Sequence, residues 1–129
     1  MKLEIKNVSK SFGGMQALNG VSITIDKPEI VGLIGPNGAG KTTLTNVIDG
    51  VHNPTRGEVW LNDERIDTFP PYQIARRGLG RTFQVTRAFR RMTVLENMMV
   101  PAMAINPTVS KKEVLEKSWD ILRFLTRIH

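Results

Sequence analysis

The sequence predicts an α/β fold centred on a strand, a glycine-rich loop and a helix. Three observations predict it. The run Ile30-Val31-Gly32-Leu33-Ile34 is short and nearly all apolar, the pattern of a strand buried on both faces of a parallel sheet. Gly35, Gly38 and Gly40 follow it in a tight cluster. A helix is then expected from about Gly40 to Asp49, with Leu44, Val47 and Ile48 on one apolar stripe and Gly50 as its stop.

The elements around this unit read in chain order. Leu3, Ile5 and Val8 open a strand, and Gly13-Gly14 marks a turn. Val21, Ile23 and Ile25 alternate with Ser22, Thr24 and Asp26, which predicts a half-buried strand. Lys27-Pro28-Glu29 is a turn. A strand over 57–61, flanked by Asn53-Pro54-Thr55 and Asn62-Asp63, suggests a hairpin. Pro70-Pro71 starts a helix that reaches Arg77 and stops at Gly78, and 79–84 reads as extended. Thr93 with Glu96 predicts a capping box before Val94, Leu95, Met98 and Met99, with Pro101 a kink or an end. Ser110, with Glu113 three residues on, caps a last helix. Val114, Leu115, Trp119, Leu122 and Leu125 recur along it at helical spacing. Met98, Met99, Trp119 and Phe124 read as packing residues.

The bulk properties bound the function. A chain of 129 residues fits one domain. It has no cysteine, so disulfides, thiolate metal sites and cysteine nucleophiles are excluded. The first residues lack the apolar core of a signal peptide, and no apolar run approaches the length of a spanning helix. The net charge is +6, with Arg76, Arg77, Arg81, Arg87, Arg90 and Arg91 gathered in one segment. Only Phe83 and Phe89 interleave with these arginines, so a single-strand stacking platform is poorly supported. A solvated basic face is favoured, and no nucleic-acid partner is expected.

Residues 35–43, GPNGAGKTT, satisfy the spacing G-x-x-x-x-G-K-[ST] through Gly35, Gly40, Lys41 and Thr42. Backbone N–H groups can converge on a polyphosphate only where bulky side chains are absent, and the glycines supply that freedom. The helix start adds unpaired donors and a favourable dipole. In this pattern Lys41 is a mobile cation for the β- and γ-phosphates, Thr42 offers a hydroxyl to Mg²⁺, and Thr43 reaches the α-phosphate region. ATP and Mg²⁺ are the ligands expected, with Pro36, Asn37 and Ala39 completing the loop.

The wording of the loop resembles that of the ABC-type ATPases. VSKSFGGMQALNGVSITI resembles their N-terminal sheet, PTRGEVWLND their hairpin after the phosphate helix, and RTFQ at 81–84 their Q-loop. FGG at 12–14, IARRGLGRTFQ at 74–84 and FRRMTVLENMMV at 89–100 resemble the ATP-binding subunits of branched-chain amino acid importers. The resemblance covers nearly the whole chain. It implies a P-loop NTPase fold of the ABC type, with 1–84 as the antiparallel β subdomain and P-loop core and 85–129 as the start of a helical subdomain. Phe12, which alone would read as a core aromatic, then matches the ring that stacks on adenine. Gln84, which alone would read as a surface amide, then matches the glutamine near Mg²⁺ and the attacking water. Residues 85–100 would face the membrane permease, with a second ABC ATPase subunit as the other partner. The implied location is cytoplasmic, peripheral on the inner face of the cell membrane. His52, just after the phosphate helix, reads as a loop residue and not as the family's switch histidine.

Parts of the family pattern are missing. The sequence has no LSGGQ-like signature, no apolar strand ending in Asp-Glu and no switch histidine. The resemblance therefore implies the first half of such a domain, an incomplete fold that does not hydrolyse ATP by itself. Two alternatives stand beside a transporter subunit or its fragment: a non-catalytic half that pairs with a second chain, and a soluble ABC-type factor.

Overall fold

The computed structural model describes residues 1–83, 85 and 87–127. They divide into two compact units, Met1–Arg81 and Thr82–His129.

The first unit is built on an antiparallel sheet. Strands β1 (Leu3–Phe12), β2 (Met15–Ile25), β3 (Arg56–Leu61) and β4 (Glu64–Arg65) stand in the order β2-β1-β3-β4. The β1–β2 hairpin runs from the Leu3–Ile25 pair to the Phe12–Met15 pair, and Gly13 takes φ +57° in its turn. The β3–β4 hairpin turns through Asn62 and Asp63, both at positive φ, a conformation these two side chains tolerate better than most. Helix α1 (Lys41–Ile48) presents Leu44 and Val47 to the buried residues of the sheet, Ile5, Val8, Leu18, Val59 and Leu61. Helix α2 (Pro71–Arg76) starts on Pro71, where a missing N–H costs nothing, and adds Ile74 to the same core.

One buried acid ties the second hairpin together. Asp67 is 3% exposed. Its carboxylate accepts the Val59 N–H at 3.1 Å and bonds from Arg65 Nε and Nη2 at 2.9 and 3.1 Å, and Arg65 Nη1 reaches Glu58 at 2.9 Å. Burial pushes the Asp67 pKa up, but the Arg65 guanidinium and the Val59 N–H outweigh it and leave the pKa below its ordinary value. A carboxylate depressed in the folded state stabilises fully above its unfolded pKa of about 3.9, and that stability fades as pH falls through the folded value. Asp67→Asn is therefore expected to cost about 2 kcal/mol at neutral pH. It should also flatten the loss of stability below about pH 4, read by urea unfolding across an acid series.

Two expectations fail here. Residues 30–34 form no strand, and Ile30 and Ile34 are 102% and 94% exposed. A strand is secured by hydrogen bonds to neighbours, and every described strand pairs within the β2-β1-β3-β4 sheet, none with 30–34. Residues 79–83 are irregular as well, and Gln84, the end of that expected extended segment, lies outside the described residues.

The second unit holds helices α3 (Val94–Ile105) and α4 (Lys111–Thr126), which pack on each other. The Thr93–Glu96 capping box forms in both directions, and Ser110 accepts the Glu113 N–H. Pro101 does not end α3, which continues to Ile105. Met99, Val114 and Ser118 are buried between the helices. Trp119 and Phe124 are 46% and 64% exposed, so they are not the packing residues expected from spacing. A pair of helices buries one narrow face of each, and Val114 and Ser118 occupy that face on α4. Within this unit the Asn97 side chain clamps the segment ahead of α3. It accepts the Phe89 N–H at 2.8 Å and donates to the carbonyls of Phe89, Met92 and Thr93.

Candidate functional site: a phosphate loop and an aromatic wall in one cleft

The loop keeps its shape through backbone that only glycine adopts freely. Gly38 and Gly40 stand at φ +85° and +87°. A Cβ on Gly40 would lie 2.6 Å from the Ala17 carbonyl oxygen and 2.9 Å from a Leu18 methyl, so the loop is pressed directly against β2. A Cβ on Gly35 would meet Ala39 at 3.3 Å. Within the loop the Ala39 N–H donates to Pro36 O at 3.2 Å.

Helix α1 begins immediately after. Gly40 is its N-cap and has no side chain to cap it, and the first helical bond runs from Leu44 N–H to Gly40 O at 2.8 Å. The N–H groups of Lys41, Thr42 and Thr43 are therefore left without helical partners at the positive end of the helix dipole. No acidic residue occupies that first turn to compete for them. Lys41 folds back over the loop, and its Nζ donates to Gly35 O at 2.6 Å and Pro36 O at 2.7 Å. The ammonium thus holds the loop closed with its charge beside the convergent donors.

The cleft at this helix start has a volume of about 400 Å³, in the range of small-molecule sites. Asn37, Gly38, Gly40, Lys41, Thr42 and Thr43 form one end, and Phe12, Met15, Gln16 and Ala17 form the wall. The β1–β2 hairpin carries that wall, so the sheet places an aromatic ring and the phosphate loop around one space. Phe12 is 39% exposed there. Its ring meets the His52 ring at 5.2 Å between centroids and 75° between planes, and Lys10 Nζ lies 5.0 Å from its centroid.

The structure brings Phe12 together with Asn37, Gly38, Gly40, Lys41, Thr42 and Thr43 around this cleft, whereas Gly35, Pro36 and Ala39 do not line it. Gln84 lies outside the described residues. Among the described residues no group of three or more His, Cys, Asp or Glu could hold a metal ion. Sequence reasoning missed two links. His52 was expected as a plain loop residue, and its ring packs against Phe12 forty positions away in the chain. Arg81 bonds Asn46 and Asp49 at the far end of α1, where a cation also suits the helix dipole.

The family profile described as ABC transporter matches residues 18–129. The chain belongs to the ABC transporter family. Its relatives among ABC proteins include the high-affinity branched-chain amino acid transport ATP-binding protein BraF of Pseudomonas aeruginosa. BraF is 45% identical over 98 residues, 76% of this chain and 38% of that protein. The probable branched-chain amino acid transport ATP-binding protein LivG of Archaeoglobus fulgidus is 36% identical, with 98% of this chain and 53% of that protein covered. A nucleotide-free ATP-binding cassette from an ABC transporter superposes with a TM-score of 0.79 at 36% identity, covering 98% of this chain and 55% of that one. A dimeric cassette in a post-hydrolysis state bound to ADP and Pi superposes at 0.75 with 28% identity, over 94% of this chain and 56% of that one. The chain spans about half the length of the relatives it matches, and its fold is an N-terminal portion of an ABC ATPase cassette. Among the described residues no helix is long and apolar enough to cross a membrane.

Proposed function

We propose that this chain is the nucleotide-cradling part of the ATP-binding subunit of an ABC importer for branched-chain amino acids. The observation that carries the proposal is the single cleft that joins the phosphate loop to Phe12. In this reading Phe12 stacks on the adenine, and the N–H groups of Lys41, Thr42 and Thr43, which have no helical partners, take phosphate oxygens. Lys41 neutralises the β- and γ-phosphates, and Gln84 lies near the metal and the attacking water. The donor set fits magnesium in part. Thr42 supplies one hydroxyl oxygen, and this cation accepts one or two protein ligands together with substrate phosphates and water. When bound, magnesium neutralises phosphate charge.

The partners in this reading are a membrane permease, met by the 85–100 segment, and a second ATPase subunit. The subunit would then sit on the cytoplasmic face of the membrane. Arg87, Phe89, Arg90 and Met92 are exposed in that segment, and the Asn97 clamp fixes its backbone from Phe89 to Thr93. The 1–84 part would cradle the nucleotide, and the part from 85 onward would couple it to the permease.

A second reading has its own observation. Ile30, Val31, Leu33 and Ile34 are all exposed beside the loop, an apolar run in search of strand partners. This favours a nucleotide-binding half that is completed by further sequence or a second chain bearing parallel strands. Both readings make the same prediction for catalysis. P-loop enzymes hold the metal from two sides, by the loop hydroxyl and by a carboxylate on a neighbouring strand. The 129-residue chain is expected to bind ATP but release no phosphate over multiple turnovers. A malachite-green assay on the chain and on Lys41→Ala checks this, and turnover that depends on Lys41 would overturn it.

A further inference from the structure

We propose that His52 is a positioning residue that holds the Phe12 ring as a preformed shelf for the base of the nucleotide. The proposal rests on the nucleotide-site reading above. Phe12 ends β1 at an exposed glycine turn, where a ring without neighbours would sample several rotamers and lose that freedom on binding. It has two neighbours. The His52 ring meets it nearly perpendicular at 5.2 Å, an edge-to-face arrangement that aromatic pairs prefer. Lys10 Nζ stands 5.0 Å from its centroid.

Both neighbours are themselves anchored. The His52 N–H donates to Asn46 O at 3.0 Å, a carbonyl of α1. Lys10 Nζ donates to Asn53 O at 2.8 Å, the residue after His52. The same segment is sewn to the end of β1, since Thr55 N–H donates to Ser9 O at 2.8 Å and Ser11 N–H donates to Thr55 Oγ1 at 3.0 Å. The helix that starts at the phosphate loop therefore also fixes the histidine that holds the aromatic wall. The spacing between shelf and phosphate cradle is set by α1 and His52 together.

This separates two ligands that share the loop. ATP uses loop and shelf, whereas inorganic tripolyphosphate uses the loop alone. Both are titrated into the unsubstituted chain, His52→Ala and His52→Phe, with far-ultraviolet circular dichroism as the check on folding. The expected result is a three- to tenfold weaker ATP affinity in His52→Ala, about the value of one aromatic pair, with tripolyphosphate affinity unchanged. His52→Phe, which keeps an aromatic edge, is expected to restore ATP affinity. Equal ATP affinity in all three chains would overturn the proposal, as would parallel weakening of both ligands in His52→Ala, which would mean that the histidine acts through the loop. Failure of the folded, unsubstituted chain to bind either ligand would overturn the nucleotide site itself and the shelf with it.

Discussion

Lys41→Ala is expected to weaken Mg·ATP binding by roughly 30-fold or more while leaving the fold intact. The lysine contributes its charge to the convergent N–H groups, and each charge-assisted hydrogen bond lost is worth about 1.5–3 kcal/mol. The substitution also frees the Gly35 and Pro36 carbonyls that the ammonium now holds at 2.6 and 2.7 Å. Those carbonyls are exposed, so water replaces the lysine and the melting temperature should shift little. Lys41→Arg is not a conservative control, because a planar guanidinium cannot follow the compact ammonium over the loop. Fluorescence titration with an ATP analogue checks the expectation, and near-equal affinity in Lys41→Ala would remove the lysine from the site.

Gly57→Ala is expected to be the most damaging small substitution in the sheet. Gly57 stands at φ +85° where β3 meets the irregular stretch of β1 at Asn7, itself at φ +51°. A Cβ there would lie 2.4 Å from Asn7 O and 2.5 Å from Lys6 O. Both contacts are with backbone, so no side-chain rotation relieves them. The left-handed conformation alone costs an alanine about 1–2 kcal/mol, and displacing the β1–β3 pairing should bring the total to about 3 kcal/mol or more. Gly38→Ala is the internal comparison. It has the same φ of +85° but nothing within 4 Å of an added Cβ, and should cost only the conformational part. Chemical denaturation of both variants separates strain from clash, and equal stability losses would contradict the contact argument.

What the sequence made legible is what is settled locally. The phosphate loop, the α1 stripe of Leu44 and Val47, the Asn62-Asp63 turn and the Thr93–Glu96 capping box all depend on residues within a few positions of one another. The alternation in 21–25 was enough to orient β2 because that strand's partner, β1, comes just before it across a two-glycine turn. Residues 30–34 were misread for the opposite reason. Their apolar pattern states that both faces are meant to be covered, but whether a strand forms is decided by neighbours that no local signal encodes. The Trp119 and Phe124 misreading has the same origin, since helical spacing reports a stripe without reporting how much of it another element reaches. His52 was illegible as a site residue because its contact with Phe12 spans forty positions. The hydrogen bonds that assemble the pair, from the His52 N–H to Asn46 O and from Lys10 Nζ to Asn53 O, are accepted by backbone carbonyls that every residue possesses.

Residues 35–43, with Phe12, are expected to form a working cradle for a nucleoside triphosphate. Isothermal titration of the unsubstituted chain with Mg·ATP tests it most directly, with circular dichroism on the same sample. Saturable binding at one site per chain is the result expected. A folded chain that takes up no ATP would contradict the claim, and would mean that the loop becomes a binding site only when strands are added beside Ile30–Ile34.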